Sequence, residues 1–177
     1  MKTMKKLILT GMFLAGMQMM ACTPPSLFYH IENNRMYWSG KELKEVDLKT
    51  LTIITSDGKN IPVYNGRGQI DAPLIKDKNN VYYQGTKIQG ADPNTFDVLE
   101  NGYFKDKNSV YFYGNKIKGV DPNTFEILEY DYFKDKNNVY YKREQIKGAD
   151  PNTFETDKNN GEAKDKNHKY RFGKVKK

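Results

Sequence analysis

One seven-residue motif recurs in this chain at a fixed interval of 29 residues. DKNNVYY at 77–83 returns as DKNSVYF at 106–112 and as DKNNVYY at 135–141. A second motif, Asp-Pro-Asn-Thr-Phe, begins at residue 92 and recurs with the same spacing. A regular period of this length is typical of proteins in which one supersecondary unit is stacked on the next. The sequence therefore predicts a tandem-repeat architecture.

Weaker copies of the repeat lie on both sides of these three. Residues 34–54 align without gaps to residues 79–99, but at an offset of 45, so that 16 extra residues lie between about 55 and 73. A truncated copy begins at 165. The chain therefore divides into five predicted units, at about 29–54, 74–99, 103–128, 132–154 and 164–177.

Short strands joined by tight turns are the predicted content of each unit. TFDVL alternates apolar residues, YFK at 103–105 leads into the DKN turn, and VYFY leaves it towards a second turn predicted at Gly114-Asn115. No segment has the apolar spacing of a helix. We expect one all-β domain over 29–177, built as tandem β-hairpin or meander repeats in an open array. A small closed array, like a propeller, is the alternative.

The repeated Asp, Asn and Pro residues are predicted to build turns. Aspartate at the start of a type I turn accepts a backbone N–H bond, and the following proline presets φ. A calcium site is disfavoured, because each DKN copy supplies one Asp and one Asn between two lysines. We expect no metal, and assign the structural turns to Asp77, Asn79, Asp92, Pro93, Asp106, Asn108, Asp121, Pro122, Asp135, Asn137, Asp150 and Pro151.

The tyrosine that follows valine in each motif is a candidate binding residue. In a strand, Tyr82 faces away from Val81 and Tyr83. Phe112 replaces Tyr83 in the next copy, so this face needs no hydroxyl and is expected to point into the core. The opposite row either packs across strands or offers a stacking surface for sugar rings or peptides. The candidate stacking residues, called the tyrosine row below, are Tyr82, Tyr111 and Tyr140.

The N-terminus resembles a bacterial lipoprotein signal. Three lysines precede an apolar run at 7–17 that is too short to span a bilayer. Ala21 then precedes Cys22, the only cysteine of the chain. The resemblance implies a signal peptide over 1–21, acyl chains such as palmitate on Cys22, and a lipidated tether over 22–28. An ordinary secretory signal that leaves one free thiol is the alternative.

This resemblance also implies a location in the cell. A lipid-anchored chain would sit on a membrane of the cell envelope, facing the periplasm or the cell surface. Thr23 follows the cysteine in place of the aspartate that resembles an inner-membrane retention signal. We therefore expect the outer membrane as the destination if the host has one, with a cell-wall glycan or an envelope protein as a possible partner.

Positive charge is concentrated at the C-terminus. The formal net charge is +7, but residues 22–163 carry nineteen basic and twenty-one acidic side chains, whereas 164–177 carry seven basic and one acidic. A nearly neutral body lacks the basic surface that binding to a phosphate backbone requires, so we expect no nucleic-acid partner. The basic tail leaves docking to anionic lipid or wall polymer as an alternative function.

Catalytic chemistry has little support in the sequence. His30 and His168 are the only histidines, and no nucleophilic triad or phosphate-binding loop is present. We therefore expect neither catalytic residues nor a cofactor. A glycan-acting hydrolase that uses a carboxylate pair is the alternative, although no particular pair is indicated.

Together the motifs D-K-N-x-V-Y-Y, G-x-x-I-x-G and D-P-N-T-F resemble the DKNYY family of exported bacterial proteins. The resemblance covers most of 74–155 and extends weakly to 34–54 and 164–173. It implies a repeat architecture but no activity. Two departures are Arg143, which replaces a turn glycine, and the junction at 156–164. We interpret the chain as an envelope lipoprotein that acts as a non-catalytic binding or structural repeat module.

Overall fold

The computed structural model describes residues 29–55, 57–62, 68–70 and 73–176. Within these ranges the chain forms short strands and turns and no helix, which confirms the predicted all-β class. The described residues accordingly include no helix able to cross a membrane. The strands of the N-terminal half are β1 (Tyr29–Glu32), β2 (Arg35–Trp38), β3 (Lys41–Glu42), β4 (Thr52–Ile54), β5 (Asn60–Pro62), β6 (Gly68–Ile70), β7 (Leu74–Lys76), β8 (Val81–Tyr83) and β9 (Thr86–Lys87).

The C-terminal half repeats one set of four strands three times. The strands are β10 (Asp97–Val98), β11 (Tyr103–Lys105), β12 (Val110–Phe112), β13 (Asn115–Ile117), β14 (Glu126–Ile127), β15 (Tyr132–Lys134), β16 (Val139–Tyr141), β17 (Glu144–Gln145), β18 (Glu155–Thr156), β19 (Glu162–Lys164), β20 (Lys169–Arg171) and β21 (Lys174–Val175).

These strands form five small antiparallel sheets. In sequence order their strand orders are β3-β2-β1-β6, β5-β4-β7-β8-β9, β10-β11-β12-β13, β14-β15-β16-β17 and β18-β19-β20-β21. None of the sheets is closed, which confirms the open array. The third, fourth and fifth sheets begin one strand earlier than the predicted units, because β10, β14 and β18 pair with the strands that follow them.

Four apolar clusters hold the five sheets together, one at each interface between consecutive sheets. Val81 of the second sheet packs with Phe104 and Tyr111 of the third, and Val110 of the third packs with Phe133 and Tyr140 of the fourth. The first and second sheets, and the fourth and fifth, meet in the same way. Contacts between nearest neighbours alone are the pattern of a one-dimensional repeat array.

The 16-residue insertion supplies two extra strands. β5 pairs with β4 and so extends the second sheet. β6 pairs with β1 and so becomes the outer strand of the first sheet. This position corresponds to that of β10 beside β11 in the third sheet. The insertion therefore gives the first sheet the fourth strand that its own repeat lacks.

The second hairpin turn lies one residue earlier than the sequence predicted. Phe112 pairs with Asn115, so Tyr113 and Gly114 form the loop and Asn115 belongs to β13. Both loop residues have positive φ, +45° and +78°, as a type I′ turn requires. The expected Gly114-Asn115 pair is wrong because the chain places a tyrosine, not the asparagine, in the first left-handed position.

Candidate functional site

Each DKN aspartate accepts hydrogen bonds from two parts of the backbone. In the third sheet, Asp106 Oδ1 accepts from the Asn108 amide at 2.7 Å. Its Oδ2 accepts from the Asp92 amide at 2.9 Å and from the Tyr111 hydroxyl at 2.9 Å. Only 2% of Asp106 is exposed. The carboxylate therefore closes its own turn and also holds the segment that enters its sheet.

We call that entering segment, residues 88–96 and its equivalents, the junction. The same bond recurs in the other sheets: the amides of Asp47, Asp121 and Asp150 donate to the carboxylates of Asp77, Asp135 and Asp165, respectively, at 2.8–3.0 Å. Each DKN turn thus fixes the direction in which the chain passes from one sheet to the next.

Further contacts secure each junction. The Lys107 amide donates to Thr95 Oγ1 at 3.2 Å, and its ammonium lies 2.9 Å from the Asp92 carboxylate. Lys76, in the preceding sheet, donates to the Pro93 carbonyl oxygen at 2.8 Å. The repeated polar residues therefore act mainly as connectors between sheets.

The protonation states suit these connections. The Lys107 ammonium and the Asn94 amide lower the pKa of the Asp92 carboxyl. Burial, joined by the bond to Asp106, raises the pKa of the Tyr111 hydroxyl to about 12. At neutral pH the tyrosine is therefore a donor and Asp92 an anion, as the observed contacts need.

The tyrosine row does not form the outward stacking surface that was one of its two interpretations. Tyr82, Tyr111 and Tyr140 are only 3%, 0% and 3% exposed. Each packs against the preceding sheet, whereas the valine before it packs against the following sheet. Both faces of these strands are buried because each inner sheet has neighbours on both sides, so the stacking interpretation of these residues is wrong.

Two other tyrosines are accessible and line a cleft between the second and third sheets. Tyr113 is 50% exposed. Its ring centroid lies 6.1 Å from that of the half-buried Tyr83, at an interplanar angle of 49°. The aromatic cleft, as we call it, has a volume of about 400 Å³ and is lined by Tyr83, Gln84, Thr86, Tyr113, Gly114 and Asn115.

Local backbone structure shapes this cleft. Gly114 has no side chain, so the Tyr83 side chain of the neighbouring sheet lies directly against it. Asn115 is oriented by a bond from its Nδ2 to the Tyr113 carbonyl oxygen at 3.2 Å. The result is a pair of tilted aromatic rings beside two side-chain amides and a hydroxyl, with no charged group in the lining.

Sequence reasoning missed Tyr113, although a signal for it existed. Its position in the hairpin turn is occupied by Gln84 in the second sheet and Lys142 in the fourth. A bulky residue with positive φ is uncommon, and among the inner sheets only the third has an aromatic residue here, whereas Phe172 holds this position in the fifth. Such a departure at an exposed position could have marked Tyr113 as a functional candidate.

Tyrosine hydroxyls also link the hairpin turns of adjacent sheets. Tyr29 accepts a bond from the Gly85 amide at 2.8 Å, and Tyr132 accepts one from the Gly173 amide at 2.8 Å. The equivalent Tyr103 hydroxyl is buried and makes no hydrogen bond to the described residues. The turn that it would reach contains Arg143, which does not adopt the positive φ seen at Gly85.

Replacing Arg143 by glycine is expected to raise the free energy of unfolding by about 1 kcal/mol, because a buried hydroxyl gains its missing partner. Urea denaturation of the full chain measures the change. The same substitution in a Tyr103→Phe background is the control, since no hydroxyl is then available. An equal gain in both backgrounds would show that the turn alone, and not the hydrogen bond, is responsible.

Two further predictions concern other kinds of site. Cys22 and the segment 1–28 lie outside the described residues, so the lipidation prediction is unchanged. Among the residues that the structure describes, no group of three or more Asp, Glu, His or Cys side chains could hold a metal ion.

The stacked sheets and their repeated turns define an all-β tandem-repeat protein. The model of the DKNYY family matches the chain three times, over residues 63–115, 74–129 and 103–177. These matches cover more than half of the sequence, and the chain belongs to the DKNYY family. No match was found among curated proteins or among solved structures.

Proposed function

We propose that this protein is a non-catalytic binding module of the cell envelope, anchored through Cys22, whose aromatic cleft binds a neutral cell-wall glycan. The cleft is the observation that carries the proposal. Tyr83 and Tyr113 come from adjacent sheets and present their rings side by side, with Tyr113 half exposed. The array acts as the scaffold that sets their spacing.

The composition of the cleft favours a sugar ring. Aromatic faces pack against apolar surface, and the amides of Gln84 and Asn115 with the hydroxyl of Thr86 can pair with sugar hydroxyls. An uncharged lining supplies no counterion for an anionic ligand. A neutral hexose or N-acetylhexosamine unit is therefore the ligand class that we propose.

A non-catalytic role is supported by the positions of the repeated carboxylates. The aspartates Asp77, Asp106 and Asp135 are 2% exposed and accept backbone hydrogen bonds, which occupies the oxygens that a general acid or base would use. A glycan-acting hydrolase is the competing proposal. If the protein were such a hydrolase, the purified protein would release reducing sugar from cell walls. We expect no release.

Replacing Tyr113 by alanine is expected to weaken binding to isolated cell walls at least about tenfold, a loss of about 1.4 kcal/mol. The full chain, solubilised in a neutral detergent, is co-sedimented with walls at high salt so that charge contributes little. Half of Tyr113 is already exposed, so its removal has little effect on the fold.

Tyr130→Ala is the matched control for this experiment. Tyr130 is 40% exposed but lies outside the cleft lining, where its hydroxyl donates to the Lys158 carbonyl oxygen at 3.1 Å. It should retain binding. Equal losses in the two variants, or salt-resistant binding that survives Tyr113→Ala, would contradict the cleft as the binding site.

Replacing Cys22 by serine is expected to abolish both acylation and membrane association, because no other thiol is present. Incorporation of a clickable palmitate analogue in the native host, followed by membrane fractionation, measures both. Wild-type protein that takes up no label would contradict the anchor and would leave the cleft proposal unaffected.

A further inference from the structure

The fifth sheet has one face that no other described sheet covers. Ala163 of β19 and Tyr170 of β20 pack against the fourth sheet. Since neighbouring residues of a strand point to opposite faces, Lys164, Lys169 and Arg171 lie on the other side. We call this side the end face; its charged residues are Glu155, Glu162, Lys164, Lys169, Arg171 and Lys174.

Like charges are paired across the strands of the end face. Lys164 lies opposite Lys169, and Arg171 lies opposite Lys174. Directly opposed like charges destabilise a sheet. In the third sheet the partner of Lys105 is Val110, and Phe112 is opposite Asn115. Lys169 and Arg171 therefore occupy the positions that Val110 and Phe112 hold in the third sheet. Charged side chains stand where the inner sheets have apolar contacts.

Acidic neighbours neutralise only part of this charge. Lys164 lies 3.4 Å from Glu155, and the Lys176 ammonium lies 2.6 Å from Glu162. Among the described residues, Lys169, Arg171 and Lys174 make no ion pair within 4.0 Å. All three are exposed. Arg171 also lies opposite Glu162, but Glu162 is paired with Lys176, so the end face keeps a net positive charge on a hairpin of defined structure.

The end face lies at the opposite end of the array from the first sheet, which follows Cys22 in the chain. Four steps of sheet-on-sheet packing at roughly 10 Å each separate the first and fifth sheets by about 40 Å. This distance exceeds the Debye length of about 8 Å at physiological salt. If the array extends away from the membrane, the anchoring bilayer does not attract these cations, and we take a polymer as the ligand of the end face.

We propose that the end face binds an anionic polymer with closely spaced phosphate or carboxylate groups. The three cations lie on two adjacent strands and match a chain of negative groups. A negative group bound between Arg171 and Lys174 would relieve the repulsion between these two side chains. The preference for a polymer over the membrane rests on the proposed anchor, whereas the anion site itself needs neither the anchor nor the aromatic cleft.

The test compares two triple variants of the full chain in neutral detergent, with fluorescent long-chain polyphosphate as the probe. One variant is Lys169→Ser, Arg171→Ser, Lys174→Ser. The matched control is Lys41→Ser, Lys44→Ser, Lys49→Ser, which removes the same charge from exposed positions near the first sheet. Thermal unfolding of both confirms that they fold.

The end-face variant is expected to bind polyphosphate at least about tenfold more weakly. The slope of log affinity against log salt should fall by about 2, since each lost phosphate contact removes about 0.7. The control should match wild type, and Tyr113→Ala should leave polyphosphate binding unchanged. Equal losses in both triple variants would overturn the proposal, because net charge alone would then explain binding. Stronger end-face binding to phosphatidylserine vesicles than to polyphosphate would overturn the choice of a polymer.

Discussion

Replacing Asp106 by alanine is expected to lower the free energy of unfolding by about 3–5 kcal/mol. The substitution leaves three donors without their acceptor: the Asn108 and Asp92 amides and the Tyr111 hydroxyl. The site is 2% exposed, so water cannot readily replace the lost oxygens. Removal of one partner from a buried charged network typically costs this much.

The same substitution should also reduce the cooperativity of unfolding. Asp106 holds the junction between the second and third sheets, and contacts in a repeat array pass only between neighbours. Once that junction is released, the sheets on its two sides can unfold at different denaturant concentrations. Urea titrations followed by tyrosine fluorescence and by far-UV circular dichroism should then no longer coincide.

Asp97→Ala is the matched control for Asp106→Ala. Asp97 belongs to the same sheet but is exposed, so its loss should change the free energy of unfolding by less than about 0.5 kcal/mol. If Asp106→Ala were as mild as Asp97→Ala, the DKN aspartate would have only a local role in its turn, and the proposed coupling between sheets would be wrong.

Period and residue type were enough to predict the repeat, its all-β class and the open array. The 29-residue interval indicates one unit per repeat, and short VYY segments between Asn, Gly and Pro favour strands. What the period could not show is which strands pair. β10 lies at the end of the second predicted unit but pairs with β11 of the next, because the junction carries the chain across before β10 begins.

The error over the tyrosine row has a physical cause. Strand alternation shows that Tyr82 and Val81 point in opposite directions, but not whether the tyrosine side faces water or another sheet. In a stacked array both sides are covered, and tyrosine suits the second interface because its hydroxyl can bond to a polar group there. Tyr111 shows this, since its hydroxyl donates to Asp106 within the interface.

The aromatic cleft required three-dimensional information. Tyr83 and Tyr113 are 30 positions apart, and they meet only because the second sheet stacks on the third with Gly114 beneath the Tyr83 ring. The insertion was visible as 16 extra residues, but its pairing with both the first and second sheets was not. Both features depend on how sheets pack, which a repeat alignment does not encode.

Replacing Gly85 by alanine is expected to lower the free energy of unfolding by about 3 kcal/mol. Gly85 has a φ of +70°, where a side chain costs roughly 1–2 kcal/mol. An added Cβ would also overlap the Trp38 side chain of the first sheet, and overpacking typically costs about 1–3 kcal/mol. Movement of the turn would further weaken the bond from the Gly85 amide to Tyr29.

Gly90→Ala separates these contributions, because Gly90 has a similar φ of +75° but no atom within 4 Å of an added Cβ. It should show the backbone cost alone, about 1–2 kcal/mol, and the excess for Gly85→Ala then measures the contact between the first two sheets. In a Trp38→Gly background the overlap disappears, because the Trp38 Cβ is removed together with the ring. The two glycine substitutions should then become equal within about 0.5 kcal/mol. If Gly85→Ala still cost more than Gly90→Ala after removal of the Trp38 side chain, the close approach of the first two sheets would not be the reason for glycine at this turn.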